Sequence, residues 1–142
     1  GRKDSLNNIE ATGEFVWNLV TQPQVEAMNQ TCKAVPPDVN EFDIAGLSSA
    51  PSRLVSVPRV AQSPVSFECR CTQILQMQNL QGESLQTWMV FGEVIGVHID
   101  EKLLNNGIYD TANAQHVLRG GGPADYFSIG PEQLFKLHRP SN

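Results

Sequence analysis

The chain has 142 residues, 10 Lys+Arg against 15 Asp+Glu, and a formal net charge of −5. A chain of this length buries enough surface for one core without disulfide or metal staples, and the acidic balance excludes a general nucleic-acid or anionic-membrane surface, which needs clustered cations. Asn18 interrupts Phe15 to Val20 and Glu93 interrupts Trp88 to Ile99, so no apolar run approaches the roughly 20 residues of a membrane span.

From Lys3 to Thr12 the run KDSLNNIEAT offers Asp4 or Ser5 as caps, Leu6 and Ile9 at helical spacing and Gly13 as a stop, which predicts a short helix. Glu14 to Val20 holds adjacent β-branched and aromatic residues without helical period, the pattern of a mostly buried strand. Thr21 and Gln24 stand in capping-box register, with Pro23 in the first turn and Val25, Met28 and Cys32 on one face; this predicts a helix to about Cys32. Between Lys33 and Pro64 stand Pro36, Pro37, Pro51, Pro58 and Pro64, which leave room only for short pieces, including a helical turn over Glu41 to Leu47. The rest reads as a covering loop, lid or binding loop.

Val65 to Met77 alternates: Val65, Phe67, Cys69, Cys71, Leu75 and Met77 fall on one side, and Ser66, Glu68, Arg70, Thr72 and Gln76 on the other. This predicts a long half-buried strand. Gln81-Gly82-Glu83 reads as a turn and Thr87 to Asp100 as the antiparallel partner. Beyond it, Asn105-Asn106-Gly107 reads as a turn, Arg119 to Pro123 as a tight or flexible loop and Gln133 to Leu137 as a short strand. Long strands with few helices predict a mainly β, antiparallel barrel or sandwich with peripheral helices.

Two constellations suggest binding. Arg2, Lys3, Asp4 and Ser5 stand at a helix start, where free N–H groups and the dipole favour an anion such as phosphate; the alternative is that Asp4 caps the helix and the two cations are merely solvated. Trp88, Val90, Gly92, Val94, Gly96 and His98 share the second strand's register, so two glycines open a strip for a flat ligand edged by His98. The alternative there is a pair of bulges and a strand-end histidine. His98, His116 and His138 lack metal-type spacing, and Cys69 and Cys71 point to the core side, so no metal site is expected. GxSxG, Walker and GxGxxG motifs are absent from the sequence. The odd count of three cysteines suits reduced thiols in the cytoplasm, and Gly1 in place of Met, with no apolar signal core behind it, suggests a fragment or a processed product.

Read together, RKDSLNNIEATGEFVWNLV, PPDVNEFDIAGL, PRVAQSPVSFECR and GEVIGVHID resemble the flavin reductase-like, FMN-binding split-barrel family, with nearly the whole chain covered. The resemblance implies a split β-barrel, a homodimer holding FMN near the subunit interface, and electron transfer from NAD(P)H to flavin or to an acceptor protein. It implies that residues 1–142 form the C-terminal part of a flavin reductase-like FMN-binding domain whose N-terminal strands precede this chain. It puts Lys3 with its neighbours Arg2, Asp4 and Ser5 on the flavin phosphate, Ser5 standing where the family has Thr. His98 lies by the flavin and orients it or the nicotinamide, with proton donation as a further role, and Tyr126 stacks nearby. Two other readings are a non-enzymatic FMN module that exchanges electrons with a protein partner, and a cofactor-free β-barrel interaction domain.

Overall fold

The computed structural model describes residues 2–36 and 38–140; Gly1 and Pro37 lie outside them. Helix α1 spans Asp4–Thr12, with Lys3 rather than Asp4 or Ser5 at the N-cap and no side chain capping the first turn. Gly13 ends it at φ 69° with its N–H on the Ile9 carbonyl, a left-handed turn that glycine makes without a Cβ penalty. Strand β1 (Glu14–Asn18) is half-buried rather than mostly buried, and Trp17 is 45% exposed, because β1 is an edge strand paired only with β4.

Thr21 and Gln24 form the predicted capping box, but it opens a 3-10 turn, Gln22–Gln24, that passes into a helix shorter than expected, α2 (Val25–Gln30). Past Gln30 the backbone tightens to three-residue hydrogen bonds, and the Thr31 hydroxyl bonds back to the Met28 carbonyl, which competes with continued helix. Helix α3 (Glu41–Ala45) is capped by the Asn40 side chain and stopped by Gly46. Strands β2 (Ser49–Ala50) and β3 (Arg59–Val60) pair and close the loop between them.

Strands β4 (Val65–Gln78) and β5 (Ser84–Ile99) form the long antiparallel hairpin, from Val65 opposite Ile99 to Gln78 opposite Ser84. The sheet order is β1-β4-β5. Register shifts between Glu68 and Cys69 and between Cys71 and Gln73 break the alternation read from the sequence. Phe67, Cys69 and Cys71 lie opposite Val97, Val94 and Gly92, whereas Leu75 lies opposite Met89 on the reverse face. On β5 the same irregularity turns Gly96 and His98 to the face opposite Gly92 and Val94, so the six-residue strip expected there does not exist.

The expected solvent face of β4 is also inverted at its start: Ser66 and Glu68 are 0% exposed. The proline-punctuated loop covers them, and side chains of β1 and β4 satisfy its backbone. Ser56 N–H donates to Glu14 Oε2 (2.8 Å), Val60 N–H to Asn18 Oδ1 (3.0 Å), and Arg53, Leu54 and Val55 N–H to Glu68. The covering-loop reading therefore describes it, and buried polar groups are there because each has a partner.

The C-terminal part carries two small hairpins, β6 (Leu104–Asn105) with β7 (Ile108–Tyr109) and β8 (Val117–Arg119) with β9 (Tyr126–Ser128). Asn106 and Gly107, at φ 51° and 78°, make the first turn. Arg119 organises the second by donating to the carbonyls of Gly120, Gly122, Pro123 and Asp125. Gln133 to Leu137 is not the expected strand: Pro131–Gln133 forms a 3-10 turn, and Leu134, Phe135 and Leu137, 65%, 79% and 87% exposed, meet no sheet neighbour among the described residues. Among the described residues no helix is long and apolar enough to cross a membrane.

Candidate functional site

The His98 end of β5 opens on a cavity of about 640 Å³, whose lining includes Arg53, Arg59, His98, Asp100 and Lys102. His98 Nε2 lies 2.5 Å from Glu68 Oε1. The Glu68 carboxylate also accepts the N–H groups of Arg53 (2.8 Å), Leu54 (2.6 Å) and Val55 (3.1 Å). Burial pushes the Glu68 pKa up, but the hydrogen bonds from His98 and from those backbone N–H groups outweigh it and hold the carboxyl at about 2 against an ordinary 4.5. Glu68 is thus a fixed anion under His98. Arg59 contributes a buried Nε with no hydrogen-bond partner among the described residues. The cavity wall can receive an anionic group on its guanidinium side and a hydrogen-bonding group at His98.

The other end of β5 meets the start of α1. Lys3, Ser5, Leu6 and Ile9 face Trp88 and Val90 across a groove of about 440 Å³. The first turn of α1 has no side-chain cap among the described residues; Leu6 and Asn7 N–H bond the Lys3 carbonyl, which leaves the Asp4 and Ser5 N–H groups open to an anion, beside the Lys3 ammonium and the Ser5 hydroxyl. Asp4 is the first helical residue and places an acid beside that turn. Arg2 is engaged elsewhere: its guanidinium pairs with Glu10, bonds Asn7 Oδ1 (2.6 Å) and sits 5.6 Å from the Trp88 ring centroid.

The two constellations read from the sequence therefore lie at opposite ends of one strand. Trp88 and His98 are ten residues apart on β5, about 30 Å at about 3.3 Å per residue, farther than one mononucleotide reaches. Tyr126 lines neither cavity; it stands on β9 with the Arg119 guanidinium 4.9 Å from its ring centroid. The glycines are filled by the chain itself. A Cβ on Gly92 would fall 2.4 Å from Phe15 Cζ, and one on Gly96 would fall 3.2 Å from Leu54 Cδ1 and 3.5 Å from Glu68 Cδ. Sequence reasoning missed Glu68, Arg53 and Arg59. The hairpin register sets Ser66 opposite His98 and Glu68 opposite Gly96, but the bulges beside them carry no marker in the alternation.

Residues 1–117 match the family model of the flavin reductase like domain. The chain belongs to the flavin reductase-like family. Among its relatives, the uncharacterized protein BH2278 of Halalkalibacterium halodurans is 32% identical over 98% of this chain and 65% of its own length. The crystal structure of nitrilotriacetate monooxygenase component B from Bacillus cereus superposes with a TM-score of 0.85 at 26% identity, over 96% of this chain and 65% of that one. Flavoredoxin of Desulfovibrio vulgaris (Miyazaki F) shares the fold at a TM-score of 0.78 and 22% identity, over 96% of this chain and 70% of that one. The chain thus spans about two thirds of the length of the proteins it matches, and its architecture is the split β-barrel of flavin reductase-like proteins.

Proposed function

We propose that this flavin reductase-like chain holds FMN and passes electrons from NAD(P)H to that flavin or onward to an acceptor, with each site built from two copies of the chain. One observation carries the reading: an uncapped helix start with Lys3 and Ser5 opens directly onto an apolar surface of Trp88 and Val90 in one groove. A phosphorylated flat aromatic ligand needs that juxtaposition, and the groove lies within the volume usual for small-molecule sites. The open first turn, the Lys3 charge and the Ser5 hydroxyl fit the phosphate; Trp88 and Val90 fit the ring. Arg2, 5.6 Å from the Trp88 ring centroid, helps to hold that ring.

FMN, when bound, supplies hydride and single-electron chemistry; the protein supplies position and electrostatics. Lys3 and Ser5 fix the phosphate. His98 with Arg53, Arg59 and Lys102 receives the anionic nucleotide donor, and His98 orients the reacting end or holds a proton there. Hydride transfer requires contact of roughly 3 to 3.5 Å between reactants, which two sites about 30 Å apart on one strand do not allow. A homodimer resolves this. Trp88 and His98 are equidistant from Glu93, so a two-fold axis near the middle of β5 brings the His98 end of one copy level with the Trp88 end of the other. The half-exposed Met89, Phe91, Val94 and Val97 between the two ends supply apolar contact surface. Three free thiols suit the reducing cytoplasm.

The test is a visible spectrum of protein saturated with FMN and washed, before and after anaerobic NADH or NADPH. A retained flavin band that bleaches supports the reading. A retained band that bleaches only with a chemical reductant points to the partner-dependent electron carrier, and no retained flavin overturns the reading for this chain.

A further inference from the structure

We propose that Glu68 is a positioning residue whose buried carboxylate fixes His98 as the Nε2–H tautomer and presents Nδ1, not Nε2, to the ligand of the cavity. Glu68 is 0% exposed, and both of its oxygens are already acceptors. Oε1 takes Arg53 N–H and faces His98 Nε2; Oε2 takes Leu54 and Val55 N–H. Three backbone N–H groups converging on one carboxyl stabilise its anionic form, and an anion only accepts, so across the 2.5 Å contact Nε2 is the donor. Nδ1 then carries the lone pair of the neutral ring, and it has no protein partner among the described residues.

The seat of this carboxylate is written into β5. Gly96 lies opposite Glu68, and a Cβ there would come within 3.5 Å of Glu68 Cβ and Cδ and 3.2 Å of Leu54 Cδ1. Glycine lets the loop and the carboxylate settle against the strand together. The same group therefore sets two pieces of the cavity wall, the His98 ring and the backbone that carries Arg53. While His98 is neutral, the ligand atom facing it is a hydrogen-bond donor, an amide or hydroxyl; a protonated ring instead donates from Nδ1 to an anionic oxygen. This is the logic by which a carboxylate fixes the tautomer and orientation of a functional histidine.

The proposal rests on the reading of the His98 cavity as half of the site, but its primary readout needs no flavin. Long-range ¹H–¹⁵N spectra of the cofactor-free full chain, with His98 assigned from His98→Gln, report which ring nitrogen bears the proton. We expect the wild type to show one Nε2–H tautomer above neutral pH and Glu68→Gln to shift it toward a mixture, with far-ultraviolet circular dichroism unchanged. An Nδ1–H or already mixed tautomer in the wild type, or a pattern that Glu68→Gln leaves unmoved, overturns it. If Glu68→Gln fails to fold, the wild-type spectrum still decides. In flavin-loaded protein, Glu68→Gln should raise KM for the donor more than it lowers kcat while flavin retention stays constant. Absence of flavin binding would refute the functional reading and leave the tautomer result standing.

Discussion

The two ends of β5 are built on opposite terms. At the His98 end the chain folds over its own sheet: Ser66 and Glu68 are completely buried, the loop between β2 and β3 is pegged by Glu14 and Glu68, and β3 itself by Asn18. At the Trp88 end the hairpin runs on past β1, and Leu75, Leu85, Met89 and Phe91 remain 40–48% exposed. Polar side chains are buried where backbone N–H groups need acceptors, and apolar ones are exposed where no element among the described residues lies over them. The first end is a finished, preorganised wall; the second is a groove and an apolar surface that ask for a second body. That asymmetry is why we place the recognition chemistry at both ends and the closure of the site in a dimer.

The sharpest way to break the comparison is to remove the peg of the finished end. Glu68→Ala strands three N–H groups and the His98 ring in a buried place and should cost about 3–5 kcal/mol in urea unfolding, as loss of one partner of a buried pair does. The same peg gives a pH signature. A carboxyl held at about 2 in the fold against 4.5 when unfolded stabilises fully above pH 4.5, and that contribution disappears as pH falls through about 2. Acid titration of the unfolding midpoint should show the decline in that window for the wild type and a flatter profile for Glu68→Gln.

Gly92→Ala probes the junction between the two ends. Its Cβ would press within 2.4 Å of Phe15 Cζ and 3.3 Å of the Arg70 carbonyl, and overpacking of this kind should lower stability by about 1–3 kcal/mol. At the groove end, Lys3→Ala should leave folding nearly unchanged but weaken FMN binding by about 1–3 kcal/mol if the ammonium makes a charge-assisted phosphate contact; fluorescence titration of free flavin measures it. A small folding effect is also expected of the paired change Phe91→Glu and Val97→Glu, one on each face of β5 and both about half-exposed. It should cost about 1 kcal/mol or less in folding yet shift sedimentation from dimer to monomer.

Much of this was legible in the sequence. The Thr21–Gln24 box, the Asn106-Gly107 turn, the glycine stop at Gly13 and the β4–β5 hairpin follow from local chemistry, which neighbouring residues decide among themselves. The bulges were not legible, because alternation by two has no marker for the one extra residue that reverses a face. That single ambiguity hid the site's buried half. Glu68 reads as a solvent-facing acid until the loop above it is known, and Gly92 and Gly96 read as a shared strip until the register sends them to opposite faces. Lys3, Ser5 and His98 stand out in the sequence as a phosphate cradle and a strand-end histidine, and the fold sets the first two beside the Trp88 groove and the third in the cavity at the opposite end of β5.

Mixing two defective variants tests the composite site directly. Lys3→Ala and His98→Ala, each poorly active alone, are combined under conditions that allow subunit exchange and assayed for NAD(P)H-dependent flavin reduction. If each site takes its phosphate end from one copy and its histidine from the other, half of the dimers in an equal mixture are mixed and each regains one intact site, so activity should recover to roughly a quarter of wild type. Activity that stays at the average of the two separate variants, with exchange verified, would place the whole site within one copy and contradict the account.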